Sequence, residues 1–243
     1  NQLVDVVIFD LGLSSIQLSN LERGFSFNSK EKLDMTMGLT DTSAEEVINN
    51  FSEKSLKLII KILGEEKDAS RIAKNIVKAR SVKKIKNVNE LVNIIKKSKK
   101  NYFNKKINPS TKTFQALRIF VNKEISELLY GLINAFNILP IGGIVAVVSF
   151  HSIEDKIVKF FFKNYSQTKN LSRYLPEQNK EKKLFKLINS KPIFPSEREK
   201  KRNPSSRSAK LRYAIKTSHS ENFDVFIKQF KYLIDIENLS KKI

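Results

Sequence analysis

The chain is organised around the stretch VDVVIFDLGLSSIQ, residues Val4–Gln17. It contains four consecutive apolar residues, Val6–Phe9, without polar alternation, which is the pattern of a strand buried on both faces of a sheet. The strand ends at Asp10, and a glycine and two serines follow within five residues. Ligands of open α/β sheets bind just beyond the carboxyl ends of the strands, so Asp10 is a candidate for chemistry. The alternative is that Asp10 caps a turn that Gly12 relieves.

Length and composition allow a sizeable core. The chain has 243 residues, of which 40% are hydrophobic, and we expect one main domain with an insertion. It has no cysteine, which excludes disulfides and cysteine-based metal sites, and we expect no metal. No apolar segment is long enough to span a bilayer, and there is no signal peptide. A cytoplasmic protein without a membrane partner fits this composition best.

The charge is large and unevenly distributed. Lys and Arg number 45 against 25 Asp and Glu, giving a net charge of +20. Between Lys67 and Lys123 there are 17 basic residues and two acids, and from Lys191 to Lys216 nine and two. Such segregation favours a polyanionic partner, RNA or DNA ahead of an anionic membrane surface.

The first half of the chain changes from loop to helix. Residues 18–40 have little periodicity, but apolar residues at a spacing of two predict an ordered loop. A capping box of Ser43 and Glu46 then opens a basic helical insertion, residues 41–108, of about four helices. After Pro109, apolar residues at spacings of three and four predict one long amphipathic helix, residues 114–136.

A second unit of strand and helix follows. Residues 144–150 form another uninterrupted apolar run, which ends at His151, and Ser152 with Asp155 at N3 begins a helix. This repeat is typical of a parallel, doubly wound sheet. The remaining predictions are a polar loop over residues 166–183, two short strands over 184–194 and 208–216, and a helical tail over 217–243.

Seven phrases occur in one order: DLGLSSIQL, ERGFSF, LDMTM, GEEKDASRIAKNIV, TKTFQALRIFVN, VVSFHSIEDKIVK and NPSSRSAKLR. Together they resemble the ribosomal RNA small subunit methyltransferase H family (RsmH or MraW) from Val4 to about Lys216. The resemblance implies an α/β, Rossmann-like fold with an inserted helical domain. It also implies N4-methylation of a decoding-centre cytidine in 16S rRNA of the small ribosomal subunit, with S-adenosylmethionine as cofactor. Residues 1–40 and 109–216 would form the methyltransferase domain, and residues 41–108 the substrate-side insertion.

The family's fold begins with a glycine-rich loop and an acidic strand end for the cofactor ribose, and neither is present here. We therefore expect an N-terminally truncated fold that alone is inactive and binds S-adenosylmethionine weakly or not at all. The resemblance implies cofactor contacts at Asp10 and Gln17.

The chemistry needs an aligned amine and an acceptor that orients it, because the N4 lone pair of cytosine is conjugated into the ring. Asp10 could serve the cofactor or the amine. His151 is a candidate base, with a role in the strand-to-helix turn as the alternative. Ser14 and Ser15 could bond the base edge or the loop backbone, and two phenylalanines, Phe25 and Phe27, could stack on a base or anchor the core. Phosphate contacts are expected from Lys83, Lys84, Lys86 and Arg207.

Three residues depart from the family pattern. Ile16 stands in place of a proline, Thr36 in place of an arginine and Ser205 in place of another arginine. These changes bear on RNA affinity more than on the reaction. The alternative function is a basic rRNA-binding or assembly module without catalysis; a DNA N4-cytosine methyltransferase is a weaker rival. The sequence leaves the oligomeric state open, with a homodimer as one option.

Overall fold

The computed structural model describes residues 4–14, 16–17, 20–38, 42–99, 108–166, 183–220 and 222–239. The chain divides into two compact units. The sheet unit comprises residues 1–12 and 128–230, and the helical unit comprises residues 13–127 and 231–243. The predicted domain boundaries follow the family resemblance and remain predictions.

The sheet unit is built on four strands in the order β1-β2-β4-β3. β1 (Val6–Asp10) runs parallel to β2 (Ile144–Ser149), as the sequence predicts. β4 (Lys210–Lys216) lies antiparallel to both β2 and β3 (Phe185–Lys186), which confirms the predicted strand over 208–216. The predicted strand over 184–194 is wrong in its extent, because only Phe185–Lys186 form a strand and Ile193 adds an isolated bridge to Leu211. The helices of the chain and the sheet together confirm the mixed α/β class.

The prediction that β1 is buried on both faces is wrong. β1 is the outer strand of the described sheet, and its side chains alternate between more and less exposed positions. Ile8 is 69% exposed and Val6 is 45% exposed, whereas Phe9 is half-buried, and a Cβ on Gly131 would lie 3.1 Å from its ring. Only one face of β1 is therefore covered by the described residues.

Aromatic side chains fill the core of the sheet unit. Phe161 is fully buried and has its ring centroid 4.6 Å from that of Phe226 and 5.3 Å from that of Phe185. These residues come from α7 (Ser152–Ser166), from α9 (Asp224–Glu237) and from β3. Edge-to-face and tilted aromatic pairs of this kind add to the stabilisation from burial alone.

A lysine is also buried in this core. Lys216, at the end of β4, is 1% exposed, and its Nζ donates to the carbonyl oxygens of Phe136 at 2.8 Å and Leu139 at 2.7 Å. These carbonyls lie at the end of the helix Glu124–Ile138, where backbone acceptors lack helical partners. Burial lowers the pKa of Lys216. The strand's alternation places this residue inside, and helix capping satisfies it there.

The helical unit contains five whole α-helices and parts of two others among the described residues. Ser43 and Glu46 form the predicted capping box, and the Asn87 side chain accepts from the Glu90 N–H at 2.9 Å. The second, third and fourth helices pack consecutively, and the fifth packs on the first and second. The bounds are α1 (Ala44–Asn50), α2 (Glu53–Ile62), α3 (Ala69–Val82), α4 (Val88–Ser98) and α5 (Thr111–Asn122).

The loop before α1 is anchored as the sequence predicts. Phe25, Leu33 and Met35 are buried, which favours the anchoring role of Phe25 over base stacking. Met35 has a φ of 60°, and its carbonyl accepts from the Asn122 side chain at 2.8 Å. The loop is thus fixed to the end of α5.

The predicted single helix over residues 114–136 is two helices. α5 ends at Asn122, Lys123 adopts a left-handed conformation with a φ of 49°, and α6 (Glu124–Ile138) begins. Arg118 spans the break with two hydrogen bonds to the Glu124 carboxylate, at 2.7 and 2.9 Å. Apolar periodicity continues across the junction, so the pattern alone does not reveal the break.

In the described part of the chain, none of the helices is long and apolar enough to cross a bilayer. Ser15 and most of the predicted polar loop (167–182) lie outside the described residues. The remaining short helix is α8 (Glu197–Arg202), which a 3₁₀ turn, Pro204–Ser208, follows.

Candidate functional site

The carboxyl ends of β1 and β2 lie side by side within the sheet unit. Asp10 pairs with Val148 in the parallel register, and the Leu11 N–H donates to the Val148 carbonyl at 3.1 Å. Gly12 follows with a φ of 95°, a conformation that side chains rarely adopt. A Cβ there would lie 3.6 Å from the Phe150 ring, an ordinary contact, so the backbone conformation and not the space requires glycine.

Asp10 is an exposed polar group at this edge. Its side chain is exposed, and its carboxylate has no hydrogen-bond or ion-pair partner among the described residues. Both strand ends are fixed by the sheet, so the backbone that carries Asp10 is rigid. The carboxylate is therefore positioned and available to a ligand, and it does not cap the turn that follows it.

His151 lies at the end of β2 but is buried within its own turn. The Glu154 carboxylate accepts from the backbone N–H groups of Phe150 at 2.8 Å and His151 at 3.2 Å. The His151 Nδ1 lies 3.4 Å from the Glu154 N–H, which donates to it, and its Nε2 lies 3.0 Å from Glu154 Oε1. Both imidazole nitrogens therefore face Glu154. These contacts favour the turn role of His151 over that of a base.

Gln17 takes part in a local helix cap in the helical unit. The Ser14 N–H donates to Gln17 Oε1 at 2.9 Å, and the Gln17 N–H donates to Ser14 Oγ at 3.2 Å. This is a capping box, and the spacing Ser-x-x-Gln is its sequence signal. Ile16 lies in the first turn after Ser14 and is exposed. Among the described residues, none bonds the amide nitrogen of Gln17, and its cofactor contact stays a prediction.

The predicted cap of Ser152 with Asp155 at N3 is wrong, because Ser152 is itself the first residue of α7 and Asp155 bonds elsewhere. Its Oδ1 lies 2.8 Å from Arg212 Nε and its Oδ2 lies 3.0 Å from Lys210 Nζ, both on β4. Burial raises the pKa of the Asp155 carboxyl, but the hydrogen bonds from Arg212 and Lys210 outweigh it and hold that pKa below its usual value. The carboxylate joins α7 to β4, a pairing 55 and 57 residues away in sequence that local patterns cannot indicate.

The predicted phosphate-binding lysines are exposed in the helical unit. Lys83, Lys84 and Lys86 follow the end of α3. Glu90 orders this segment, since its carboxylate accepts from the Lys86 N–H at 2.8 Å and lies 3.3 Å from Lys83 Nζ. The hydrogen bond from the Lys86 backbone, ahead of the Lys83 ion pair, lowers the pKa of Glu90 against the effect of burial. Glu90 therefore holds the backbone of this exposed, positively charged segment in place.

Not every basic residue of the insertion is available. Arg80, in the last turn of α3, donates to the carbonyls of Ile48 and Phe51, each at 2.5 Å. Burial lowers the pKa of its guanidinium. Arg80 therefore caps the end of α1, whereas Arg207, in the 3₁₀ turn of the sheet unit, is exposed.

Comparison with known proteins extends over most of the chain. The model of the MraW methylase family matches residues 1–217. The chain belongs to this family. It is 43% identical over 218 residues to ribosomal RNA small subunit methyltransferase H of Chelativorans sp. (strain BNC1), which covers 90% of the chain and 64% of that protein. It is 46% identical over 211 residues to the protein of that name from Sulfurihydrogenibium sp. (strain YO3AOP1), covering 86% and 67%.

A third relative, with the same name, comes from Bartonella bacilliformis and is 44% identical over 214 residues, covering 88% of the chain and 65% of that protein. The chain thus spans about two thirds of the length of these relatives. Membership of the MraW family accounts for the order of the seven phrases. The family match ends at residue 217, so α9 lies beyond it.

Proposed function

We propose that this member of the MraW family acts in the S-adenosylmethionine-dependent methylation of small-subunit ribosomal RNA. The finer proposal is transfer to N4 of a decoding-centre cytidine in 16S rRNA, in the cytoplasm, where that RNA is assembled into subunits. The observation that carries it is the family match over residues 1–217, with relatives named as rRNA methyltransferases at 43–46% identity.

Asp10 is the residue that we propose for the reacting centre. S-adenosylmethionine supplies a methyl group on a positively charged sulfonium. A carboxylate suits both a cationic ligand and the N–H groups of an exocyclic amine, and Asp10 offers one that is exposed and held at a rigid strand end. Holding the amine in line with the methyl group contributes to catalysis by removing orientational freedom before reaction. Gly12 allows the chain to turn immediately after this carboxylate.

His151 has a supporting role in this proposal. Its imidazole and the Glu154 carboxylate complete the turn from β2 into α7, and so hold the strand end next to Asp10 in place. Gln17 is proposed as a cofactor contact through its amide N–H groups, because its oxygen already accepts from Ser14. The assignment of cofactor contacts to Asp10 and Gln17 rests on the family resemblance.

RNA is the proposed partner because several lysine and arginine side chains are exposed and can contact its phosphates. Lys83, Lys84 and Lys86 lie on the helical unit, and Arg207 lies on the sheet unit. Contacts from these side chains to phosphates would position the RNA without reading its sequence.

A non-catalytic rRNA-binding module is the second candidate. The net charge of +20 and the exposed lysines favour it as much as they favour an enzyme. The two functions differ in what they require of Asp10. The proposed enzyme needs the negative charge of Asp10, whereas a non-catalytic RNA-binding module does not need it.

The test is replacement of the chromosomal gene by the variant Asp10→Asn, which keeps the size of the side chain and removes its charge. Loss of one preorganised polar group lowers methylation by about a hundredfold or more. The control is Asp5→Asn, which removes the exposed carboxylate just before the opposite end of the same strand. N4-methylcytidine in small-subunit rRNA is measured by mass spectrometry, and RNA binding by the purified variants is measured by filter binding.

Reduced methylation with normal RNA binding in Asp10→Asn alone supports the proposal. Normal methylation removes Asp10 from the reacting centre. Equal loss in both variants, with lowered thermal stability, assigns Asp10 to the fold.

A further inference from the structure

The sheet unit contains a surface cavity away from the turn at Gly12, between α7 and β4. Its volume is about 130 Å³, and α7 contributes Lys159, Phe162 and Lys163 to its lining. Arg212 and Tyr213 of β4 line the other side. We call it the α7–β4 pocket. It has an apolar floor, since Phe162 is 2% exposed, and a cationic rim.

The two rim lysines have no partner within the described part of the chain. Lys159 and Lys163 are exposed and lie one helical turn apart on α7, so their side chains are neighbours. Neither ammonium group forms a hydrogen bond or an ion pair with another described residue. Two adjacent ammonium groups repel each other, and an anion between them relieves that repulsion.

Arg212, unlike the two lysines, is held in place by hydrogen bonds to described residues. Its Nε bonds the Asp155 carboxylate at 2.8 Å, and its Nη1 lies 3.5 Å from the Ser190 carbonyl oxygen, which accepts from it. Lys210 shares the same carboxylate. The single Asp155 charge therefore faces two cations of β4, and the lysines of α7 add two more. The local charge stays positive after all of these pairs are counted.

The size of the pocket restricts its ligand. Sites for whole small molecules occupy about 300–1,000 Å³, several times this volume. A cavity of about 130 Å³ accepts one group of a larger molecule that lies across the surface. The positive rim requires that group to be anionic or to be linked to an anion.

We propose that the α7–β4 pocket binds one nucleotide of an RNA strand, with its phosphate on Lys159 and Lys163 and its base at Asn189. This inference rests on the proposed function, because it takes RNA as the substrate, but it assigns a contact outside the methyl-transfer site. Asn189 is exposed and lines the cavity, and its amide offers both a donor and an acceptor to a base or a ribose. Such a contact fixes the RNA on the sheet unit while its target base is held elsewhere.

The test compares Lys159→Ala/Lys163→Ala with the charge-matched control Lys54→Ala/Lys57→Ala, which removes two exposed lysines from α2. The probe is a fluorescein-labelled single-stranded oligouridylate, followed by fluorescence anisotropy at several salt concentrations. The two lysines share one phosphate in this proposal, so the pocket variant loses one phosphate contact, which contributes about 0.7 to the log–log salt slope of a single strand. Over a fourfold change in salt, Kd then rises about 2.6-fold less than for the wild type. The control keeps the wild-type slope.

Three results overturn the proposal. The first is an unchanged slope in the pocket variant, and the second is an equal loss in the control. The third is binding to phosphatidylserine vesicles that is lost in the pocket variant while RNA binding is kept, which would assign the pocket to a membrane surface. The variant Asn189→Ala tests the base contact, and weaker oligouridylate binding without a change in salt slope supports it.

Failure here can be distinguished from failure of the proposed function. If N4-methylcytidine depends on the gene but the salt slope is unaffected by Lys159→Ala/Lys163→Ala, only the pocket assignment is wrong. If the slope falls as expected but methylation does not depend on the gene, the RNA contact stands and the catalytic proposal is wrong.

Discussion

Glu237 links the pH of the solution to the stability of the helical unit. It is the last residue of α9 and is 2% exposed. Its carboxylate accepts from the N–H groups of Ile125 at 2.8 Å and Ser126 at 2.9 Å, and from Ser126 Oγ at 2.5 Å. These N–H groups belong to the first turn of α6 and lack helical partners. Glu237 therefore acts as the N-cap of a helix 111–112 residues away in sequence.

The pKa of Glu237 sets the pH range of the effect. Burial raises it from 4.5 to about 7, against the hydrogen bonds from Ser126 and Ile125, and the nearby Glu124 charge adds to the rise. The folded state then binds more protons than the unfolded state between about pH 4.5 and pH 7. The free energy of unfolding falls as pH rises through that range. At 1.36 kcal/mol per pKa unit, the loss is about 3 kcal/mol.

The variant Glu237→Gln tests this linkage, because an amide keeps a carbonyl acceptor for the α6 N–H groups and does not titrate. The free energy of unfolding is measured in urea by circular dichroism from pH 4.5 to pH 8. The difference, wild type minus Glu237→Gln, is expected to fall by about 3 kcal/mol between pH 4.5 and pH 7 and to be constant above. The control is Asp235→Asn on the same helix, whose exposed ion pair with Lys231 should change stability by less than about 1 kcal/mol. If the free energies of unfolding of the wild type and of Glu237→Gln changed in parallel with pH, Glu237 would not be the group that links stability to pH.

Three further variants test other parts of the structure. Replacing Lys83, Lys84 and Lys86 by alanine should lower the log–log salt slope of single-stranded RNA binding by up to about 2, and an unchanged slope would show that these exposed lysines do not contact phosphates. Lys123→Gly should raise the free energy of unfolding by up to about 1 kcal/mol, since glycine adopts the left-handed conformation at the α5–α6 junction without strain. A lower free energy of unfolding in urea would contradict this prediction. Gly64→Ala should destabilise the protein by about 1–3 kcal/mol, because the Cβ of the new alanine would lie 2.4 Å from the Lys112 carbonyl oxygen. A melting temperature equal to that of the wild type would show that the backbone moves apart there at little cost in free energy.

The sequence predicts the elements whose signals are local. The capping box at Ser43 needs only residues within one turn, and it appears as expected. The same kind of signal was present at Ser14 and Gln17, where the capping role is readable from the spacing. The uninterrupted apolar run of β1 predicts a strand correctly, but the burial of its two faces depends on which elements cover them.

The parts that the sequence does not predict depend on distant partners. Periodicity predicts one helix across Lys123, whereas the break is fixed by Asn122 bonding to the loop at Met35, 87 residues earlier. Asp155 has the spacing of a helix cap, yet two cations on β4 compete for its carboxylate. Both outcomes follow from tertiary contacts that override a local preference.

In the candidate site, too, some features follow from local sequence and others depend on the surrounding structure. The position of Asp10 at a strand end follows from the pattern of the first stretch alone, and its exposure follows from the turn at Gly12. The surroundings of His151 depend on Glu154, three residues later, which also fits an ordinary first helical turn. Sequence therefore identifies the strand ends, and only the structure distinguishes the available carboxylate from the enclosed imidazole.

The central proposal is that this MraW-family protein methylates N4 of a decoding-centre cytidine in small-subunit rRNA. The most direct measurement is mass spectrometry of nuclease fragments of that rRNA from cells with and without the gene. We expect a fragment from the decoding centre to lose one cytidine N4-methyl group on deletion and to regain it when the wild-type gene is restored, but not with Asp10→Asn. Identical methylation of that fragment with and without the gene would show that this protein does not methylate that cytidine.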